Sequence, residues 1–406
     1  MEHQRNKLRY MDDSDFSVTY KLNKVNGIFN WYPYTEGFSK PFVDKMIQYF
    51  EAKESDLILD PFSGCGTTGL SCAIKDISSL SIEVNSFMNF IGKTKNNSLV
   101  LDKKKLKEYY TKINQNLKNN NKNDIPPFLK DKPFFNPENL NQAVEIKGAI
   151  LKSVNEQEYQ DFFLLHLASI LVKISDMIRA VDLRYRTNKP GRLDVFQIYD
   201  EKIKRAFVDL AEYDYVKKSK HNFLNNDICN ASDEMQRYFG KVDYFITSPP
   251  YLNGTNYDRN TKLEMGFLEM IKTDGDLKDL RTKMVIAGIN STHSDNKYNM
   301  DLSFLNGLVQ TVTEKAYDRR IPIMVKGYFN DMSLAMQNIK KLMKKNARGV
   351  IVVGDSQFGG VHIETDLILA KICELSGLTV DAIDVVRERR SKNGMKLRES
   401  LIFVRK

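Results

Sequence analysis

The sequence has few of the residues that crosslink small secreted proteins or bind structural metals. Its 406 residues include only four cysteines and five histidines. The cysteines (Cys65, Cys72, Cys229 and Cys373) are scattered, with no C-x-x-C pair and no histidine at ligand spacing. This distribution predicts neither a disulfide framework nor a metal site, and it is typical of proteins of the reducing cytoplasm.

Long apolar runs are also missing. The longest, residues 162–174, is interrupted by His166 and Lys173 and is too short to span a bilayer. The first ten residues, MEHQRNKLRY, have no apolar core behind their charges, so no signal peptide is predicted. We therefore expect a cytoplasmic protein that has no membrane partner. With only 11 prolines and 21 glycines, collagen-like and wholly disordered chains are excluded as well.

Positive charge is in excess. The chain has 61 Lys and Arg against 52 Asp and Glu, a net charge of +9, and its pI is about 9.0. A basic balance favours a polyanionic partner such as DNA or RNA, because cationic side chains neutralise phosphates and release counterions. Many cytosolic proteins are mildly basic, however, so charge alone leaves the partner open.

Short apolar runs alternate with helical segments in two blocks of the sequence. The predicted strands cover residues 57–60, 80–84, 221–224, 242–246, 350–353, 379–386 and 400–404, and helices are expected over 67–75, 332–343 and 362–375. This alternation predicts a doubly wound α/β fold with a mostly parallel sheet, whose last run adds an antiparallel strand.

Residues 101–220 differ in composition and in hydrophobic pattern from the two blocks around them. Residues 101–125 are rich in Lys and Asn, Asn136-Pro137 is typical of a helix start, and the apolar positions over 156–181 favour a buried helix. We therefore expect a mainly helical insertion at 101–220, which divides the α/β domain into residues 1–100 and 221–406.

A glycine-containing turn, DPFSGCGTT, follows the first predicted strand at residues 60–68. Glycines allow the chain to turn sharply and to approach a ligand closely. A bare G-x-G also occurs in nicotinamide-binding folds and in plain turns. Here Asp60 ends the strand, where it would meet an amine, and Glu83 ends the next strand, where a carboxylate binds ribose hydroxyls. An amine, a ribose and no phosphate describe S-adenosylmethionine.

A second motif, TSPPY, directly follows the predicted strand 242–246. Two prolines cannot continue a sheet ladder, so the chain must leave the strand in a rigid loop. Ser248 and the Pro249 carbonyl offer acceptors for an exocyclic amine, and the Tyr251 ring offers a stacking surface. The alternative is a plain strand-terminating turn with Tyr251 in the core, and it is disfavoured because the glycine turn is also present.

Together these motifs resemble those of the DNA amino-methyltransferases, which methylate cytosine N4 or adenine N6 with S-adenosylmethionine. DPFSGCGTT is similar to their cofactor motif, TSPPY to their catalytic motif, residues 34–42 (YTEGFSKPF) to an upstream motif at the methionine end, and Asp227 to their acidic position at the cofactor adenine. The resemblance implies as cofactor-binding residues Lys40, Pro41, Asp60, Pro61, Phe62, Gly64, Gly66, Thr67, Glu83 and Asp227, and as catalytic residues Ser248, Pro249, Pro250 and Tyr251.

The same resemblance implies a seven-stranded Rossmann-like methyltransferase sheet and direct SN2 methyl transfer to a base flipped out of double-stranded DNA. It also implies a cognate restriction endonuclease as partner. Ser248 favours cytosine N4, because the Ser-Pro-Pro-Tyr form is more typical of cytosine enzymes. Adenine N6, an RNA or protein-glutamine substrate, and a catalytically silent DNA-binding module remain alternatives.

Target recognition is expected in residues 101–220, with a contribution from 255–330, because the sheet does not need these regions. Candidate DNA contacts are basic or aromatic and are Arg184, Arg186, Lys189, Arg192, Tyr257, Arg259, Lys262, Arg387, Arg389, Arg390 and Lys392.

Overall fold

The computed structural model describes residues 1–11, 18, 22–23, 27–34, 37–117, 124–180, 182–216, 220–252, 258–292, 300–391 and 393–406. Its helices are α1 (Glu2–Arg5), α2 (Lys40–Phe50), α3 (Thr67–Ile74), α4 (Ser86–Ser98), α5 (Lys103–Leu117), α6 (Pro137–Ser153), α7 (Gln157–Ile174), α8 (Val195–Ala211), α9 (Asp233–Gln236), α10 (Lys262–Phe267), α11 (Asp274–Lys283), α12 (Asn306–Lys315), α13 (Arg320–Leu342) and α14 (Thr365–Leu375). Its strands are β1 (Leu8–Tyr10), β2 (Leu57–Asp60), β3 (Ser78–Ile82), β4 (Met177–Arg179), β5 (Leu183–Tyr185), β6 (His221–Leu224), β7 (Val242–Thr247), β8 (Met343–Gly354), β9 (Ser356–Phe358), β10 (Val361–Ile363), β11 (Thr379–Arg390) and β12 (Lys396–Arg405).

The main sheet has the strand order β1-β11-β12-β8-β7-β2-β3-β6. The pairs β1–β11, β8–β7, β7–β2, β2–β3 and β3–β6 are parallel, and only β12 runs antiparallel to its two neighbours. The mostly parallel α/β fold and the antiparallel last strand are therefore confirmed. That last strand lies inside the sheet, between β11 and β8.

The sheet has eight strands, so the expectation of seven was wrong. The additional strand is β1, which pairs in parallel with β11 at the register Leu8 with Ile383. Its three residues are too short to show a strand pattern in the sequence. Arg9 anchors the strand through two hydrogen bonds to the Asp384 carboxylate, at 2.6 and 2.9 Å.

Helices cover both faces of the sheet because successive strand residues point to opposite sides. Ile58 and Ile246 lie in the core with α2, whereas their neighbours Leu59 and Phe245 lie in the core with α13 and α14. Both faces are thus buried, which explains why apolar residues directly follow one another in β2 (Leu57–Leu59) and in β8 (Val350–Val353).

The helices α5 to α8 form a third core together with α3, α4, α10 and residues 27–32. Asn136 caps α6 by accepting a hydrogen bond from the Glu138 N–H at 3.0 Å, as its place before Pro137 indicates. The helix predicted over 156–181 is shorter than expected, since α7 ends at Ile174 and the chain then forms the β4–β5 hairpin. Among the described residues, no helix is long and apolar enough to cross a membrane.

The chain order of the strands reverses beside β2. From β2 the chain proceeds outward to β3 and β6, and it then returns to form β7 on the other side of β2. In open parallel sheets, ligands bind at the carboxyl ends of the strands at such a reversal. The residues that follow β2, β3, β6 and β7 are therefore the place to look for a functional site.

Candidate active site

A cleft with about 910 Å³ of empty space lies at this reversal point. Its walls come from the turns after β2, β3, β6 and β7, and from the segment that follows α11. Of the residues predicted from the sequence, it is lined by Asp60, Pro61, Phe62, Gly64, Thr67, Glu83, Asp227, Ser248, Pro249 and Pro250. The fold thus brings the glycine turn and the Ser-Pro-Pro loop into one cleft, although almost two hundred residues separate them in the sequence.

Asp60, the last residue of β2, is buried and connects the two motifs. Its Oδ2 accepts a hydrogen bond from the Thr68 hydroxyl at 2.7 Å, and its Oδ1 accepts one from the Thr247 hydroxyl at 3.0 Å. The Phe62 N–H also donates to Oδ1, at 3.3 Å. Burial raises the pKa of Asp60 to about 6, against the effect of these hydrogen bonds. Asp60 therefore positions the start of α3 and the end of β7 relative to each other.

Glu83 follows β3 and holds the glycine turn from the other side. Its Oε2 accepts a hydrogen bond from the Gly64 N–H at 2.8 Å, and its Oε1 accepts one from the Asn85 N–H at 2.9 Å. Desolvation raises the pKa of Glu83 to about 7. A carboxylate has about four acceptor positions, so these two bonds leave capacity for a ligand in the cleft.

Gly66 belongs to the turn but is not among the residues that line the cleft. It has a φ of 80°, and a Cβ atom at this position would lie 2.6 Å from the Cα of Gly92 in α4. The glycine therefore serves the close approach of the turn to α4. Beneath the same turn, the buried Lys95 donates hydrogen bonds to the carbonyl oxygens of Phe29, at 3.2 Å, and Cys65, at 3.4 Å.

Asp227 lies three residues beyond β6. Its Oδ1 accepts a hydrogen bond from the Cys229 N–H at 2.8 Å, and its Oδ2 accepts one from the Asn230 side chain at 2.6 Å. Burial raises its pKa. Behind it, desolvation raises the pKa of Asp331 to about 7, with a smaller contribution from the negative charge of Asp227.

Ser248, Pro249 and Pro250 line the cleft where β7 ends, but Tyr251 faces another direction. A Cβ atom on Gly354, the last residue of β8, would lie 3.0 Å from the Tyr251 ring and 3.2 Å from the Arg389 guanidinium. The Tyr251 hydroxyl donates a hydrogen bond to Glu399 at 3.1 Å. The loop thus passes from the cleft to the ends of β8, β11 and β12.

Lys40 and Pro41 start α2 and are likewise not among the residues that line the cleft. Ser39 caps this helix, and Lys40 pairs with Asp44 one turn further on. Of the upstream stretch 34–42, Tyr34, Gly37 and Phe38 line the cleft. Thr35 and Glu36 of that stretch, together with Tyr257 and Lys392, lie outside the described residues.

The sequence was compared with known proteins. No family model matches the chain. It is 24% identical to the Type II methyltransferase M.AvaI of Nostoc sp. and equally to that of Anabaena variabilis, over 97% of this chain and 88% of each relative. It is 22% identical to the Type II methyltransferase M.BsoBI of Geobacillus stearothermophilus, over 94% of this chain and 84% of that protein. These relatives, similar over most of the chain, support a DNA methyltransferase family for it.

The chain also resembles a solved structure. It is the crystal structure of a SAM-dependent methyltransferase from Methanosarcina mazei, with 10% sequence identity and a TM-score of 0.31. The superposition covers 89% of this chain and 96% of that one.

Several residues that line the cleft were not predicted from the sequence. Among them are Asn85, Met88, Asn226, Lys283 and Val285. Asn85 could have been found, because an Asn before an apolar helical stretch is a helix-cap signal and it does cap α4. The segment after α11 carries no comparable signal, since its position depends on how distant helices pack.

Most of the basic residues predicted as DNA contacts have partners within the protein itself. Arg186 donates to the carbonyl oxygens of Met177 and Val172, at 2.6 and 2.7 Å. Ion pairs join Lys189 to Asp176, Arg192 to Glu138, Arg259 to Asp182 and Arg387 to Glu399. The amine of Lys262 lies 5.6 Å from the centre of the Phe134 ring. These partners give the side chains structural roles, and DNA contact by them stays a prediction.

Proposed function

We propose that this protein is the modification enzyme of a restriction–modification system and transfers the methyl group of S-adenosylmethionine to cytosine N4 in double-stranded DNA. The observation that carries the proposal is the shared cleft, which is lined by the glycine turn after β2 and also by Ser248 and Pro249 after β7. A methyl donor held by the turn would therefore be adjacent to the loop that accepts an exocyclic amine.

The chemistry of the cleft fits S-adenosylmethionine. Carboxylates stand at three separate points of its wall, at Asp60, Glu83 and Asp227, with apolar surface between them from residues such as Phe62 and Ile228. The buried hydroxyl of Ser63 lines the same cleft and has no hydrogen-bond partner among the described residues. A ligand with one cationic end, ribose hydroxyls and an adenine amine would satisfy these groups.

Each carboxylate has a distinct role in this proposal. Glu83 accepts from the ribose hydroxyls, Asp227 receives the adenine amine, and Asp60 places negative charge near the amino end. Asp60 already accepts three hydrogen bonds from the protein, so it acts chiefly through its charge and through the turn it positions. When bound, S-adenosylmethionine supplies an electrophilic methyl group on a sulfonium.

The residues of the Ser-Pro-Pro loop act on the target amine. The Ser248 hydroxyl and the Pro249 carbonyl accept its two hydrogens and turn the nitrogen lone pair toward the methyl donor, which is an effect of proximity and orientation. No strong base is needed, because the proton can leave after the nitrogen has attacked. Extracting the base from the duplex costs a few kcal/mol, of which stacking on Tyr251 returns about 1–3 kcal/mol.

Cytosine is preferred to adenine as the target because position 248 is Ser, which is more typical of cytosine enzymes in the family the chain resembles. Ser248 supplies one acceptor, as Asp or Asn would, so other contacts to the base must add to the selection. Adenine N6 remains the alternative. Protein glutamine is less favoured, because similar enzymes that act on glutamine have Asn-Pro-Pro-Tyr in this loop. RNA is a further, less favoured alternative substrate.

The test is methyl transfer from isotopically labelled S-adenosylmethionine to duplex DNA, RNA and protein in parallel. We expect label in DNA alone, and digestion to nucleosides followed by mass spectrometry should give N4-methylcytosine. Ser248→Ala should lower the rate strongly. The matched control is Ser333→Ala in α13, where the hydroxyl donates only within its own helix, to Asn330. N6-methyladenine as sole product would refute the cytosine assignment, and label only in RNA or protein would refute DNA as substrate.

A further inference from the structure

A second cavity lies beyond the Ser-Pro-Pro-Tyr loop, at the ends of β8 and β11. It has about 840 Å³ of empty space, and its wall includes Leu252, Asp355, Ser356, Gln357 and Arg389. The cleft at the ends of β2, β3, β6 and β7 is called the cofactor cleft from here on. Leu252 directly follows Tyr251, so one loop contributes Ser248 to the cofactor cleft and Leu252 to this cavity. We call it the β8 cavity.

The Tyr251 ring lies at the border of the β8 cavity. It packs over Gly354, beside the Arg389 guanidinium that lines the cavity. Tyr251 is not among the residues that line the cofactor cleft. A base stacked on Tyr251 would therefore reach Ser248 with its amine while its remaining edge faced the β8 cavity.

The wall of the β8 cavity carries buried polar atoms for which the described part of the chain offers no hydrogen-bond partner. Asp355 is fully buried and Ser356 nearly so, and among the described residues neither Asp355 Oδ1 nor Ser356 Oγ makes a hydrogen bond. Buried polar groups are normally paired, so each unpaired one requires an explanation. Both atoms belong to residues that line the cavity, and a ligand with an acceptor there would pair the Ser356 hydroxyl.

The surroundings hold this wall in place. Asp355 Oδ2 pairs with His362 Nε2 at 2.8 Å and lies 3.4 Å from the Arg398 guanidinium. Arg389 donates one hydrogen bond to the Asp355 carbonyl oxygen at 2.9 Å, and a guanidinium has five N–H donors in total. The Asp355 carboxylate, the Ser356 hydroxyl and the Arg389 guanidinium are thus held next to one another before any ligand binds. This preorganisation lowers the free-energy cost of binding.

We propose that the β8 cavity binds the hydrogen-bonding edge of the flipped base, and that Ser356 and Arg389 select cytosine over adenine. This inference rests on the proposed function, because it names the residues that read the target of the same methyl transfer. Ser356 supplies a hydroxyl donor and Arg389 supplies guanidinium N–H donors, while the Asp355 carbonyl oxygen holds the guanidinium in place.

The two bases differ in what they offer such a wall. Beside its exocyclic amine, cytosine presents a ring-nitrogen acceptor and then a carbonyl oxygen. Adenine presents a ring-nitrogen acceptor and then only a C–H group. A wall with two donors is therefore satisfied by cytosine, whereas adenine leaves one donor unpaired. A site that is built to hydrogen-bond a group rejects an analogue lacking it far more strongly than an apolar pocket does.

The experiment compares two DNA duplexes. The methylated sequence is first identified by sequencing DNA from a host that expresses the protein. One duplex then carries the target cytosine, and the other has an abasic site in its place. We expect Ser356→Ala and Arg389→Ala to bind the cytosine duplex about tenfold more weakly than the wild type does. Both variants should bind the abasic duplex as the wild type does, because there is no base edge left to contact.

Two controls distinguish the loss of base contacts from a loss of phosphate contacts or of folding. Arg405→Ala removes an arginine that pairs with the exposed Asp381 at the opposite end of the β11–β12 pair, and it should not change binding to either duplex. Calorimetry with S-adenosylmethionine should give wild-type affinity for both cavity variants, which shows that they are folded. Equal weakening on both duplexes, or no weakening on either, would overturn the proposal, as would N6-methyladenine as product. A wild type that methylates no DNA would instead refute the proposed function itself.

Discussion

The carboxylate of Glu83 accepts a hydrogen bond of 2.8 Å from the backbone N–H of Gly64. This bond joins the ends of the two neighbouring strands β2 and β3, and it fixes the glycine turn against the wall on which a ribose would bind. Because the carboxylate also accepts from the Asn85 N–H, one side chain both shapes the turn and faces the cleft.

Replacing Glu83 by Gln should weaken S-adenosylmethionine binding about tenfold, since a hydrogen bond to a charged group contributes about 1.5–3 kcal/mol and Gln keeps only part of the acceptor capacity. Calorimetry measures the affinity directly. Asp60→Ala should weaken binding as well. It should also destabilise the fold, because Asp60 accepts bonds from both Thr68 and Thr247. Wild-type affinity in both variants would contradict the cofactor assignment.

The affinity for S-adenosylmethionine should also depend on pH. The ionised Glu83 carboxylate is the better acceptor for ribose hydroxyls, and its pKa is raised to about 7. Affinity should therefore rise between about pH 6 and pH 8 as this group loses its proton. Titrations across that range should show the rise in the wild type and a flatter profile in Glu83→Gln. A profile that Glu83→Gln leaves unchanged would assign the pH dependence to another group.

Asp331→Asn should stabilise the protein at high pH. Burial raises the pKa of Asp331 to about 7, so the folded state retains a proton that the unfolded state, with a pKa of about 3.9, has lost. The free energy of unfolding of the wild type therefore falls as pH rises from about 4 to 7. The Asn side chain does not titrate, so the variant does not lose stability in this pH range. Its Oδ1 can still accept the hydrogen bond from the Ile286 N–H.

Denaturant unfolding at pH 5 and pH 8 measures this effect. The free energy of unfolding of Asp331→Asn minus that of the wild type should be greater at pH 8 than at pH 5 by about 1–2 kcal/mol. Asp381→Asn is the control, because Asp381 is exposed and pairs with Arg405 at the surface. An advantage that is equal at the two pH values would show that Asp331 is not the titrating group.

Gly66→Ala should destabilise the protein more than Gly240→Ala does. Both glycines have positive φ, 80° and 67°, so both substitutions strain the backbone by about 1 kcal/mol. Only at position 66 would the new Cβ also lie 2.6 Å from a backbone atom, the Cα of Gly92, which adds an overpacking cost of about 1–3 kcal/mol. Unfolding curves of the two variants give the difference. Equal decreases in the free energy of unfolding would mean that the turn can move away from α4 at no cost.

The sequence predicted β2 and β6 with the bounds that the structure has, whereas the strand expected at 80–84 is β3 at Ser78–Ile82. It predicted α13 poorly. The expected helix covers only 332–343, but α13 begins at Arg320. Pro322 and Gly327 in its first half are signals that usually oppose a helix. Pro322 lies in the first turn, where its missing N–H costs nothing, and Gly327 accommodates Ile286, whose Cδ1 would lie 2.7 Å from an added Cβ.

For the candidate site, residues within the two motifs could be placed from local sequence alone. The direction of the Tyr251 ring could not, because it depends on Gly354 and Arg389, which are more than a hundred residues away in the sequence. The same holds for the β8 cavity, whose unpaired atoms become visible only when the carboxyl ends of β8 and β11 are brought beside the loop.

Tyr251→Ala should lower the rate of methyl transfer about tenfold or more, because base stacking on an aromatic ring contributes about 1–3 kcal/mol. Tyr251→Phe keeps the ring and loses the hydrogen bond to Glu399, so its rate should stay within a few-fold of the wild type. Steady-state transfer to DNA measures both rates, and calorimetry with S-adenosylmethionine checks that the cofactor site is intact. Equal losses in the two variants would assign the role of Tyr251 to its hydroxyl instead.

Exchanging the helical insertion with that of a relative of different specificity should change the methylated sequence. The reason is that α5 to α8 lie outside the sheet, which is complete without them. The exchange must preserve the contacts by which the insertion docks. These contacts include the Trp31 indole N–H bond to Asp209 at 3.0 Å, the Lys147 amine bond to the Phe267 carbonyl at 2.8 Å, and the ion pair of Arg179 with the buried Glu264.

A chimera that keeps these partners should bind S-adenosylmethionine with wild-type affinity, because the cofactor cleft receives no residue from α5 to α8 among those that line it. Sequencing DNA from a host that expresses the chimera should then show methylation at the relative's sequence. Methylation at the original sequence by a folded, active chimera would place recognition elsewhere, with residues 258–292 and 300–330 as the next region to exchange. A chimera that binds the cofactor but methylates neither sequence would indicate that both regions read the DNA together.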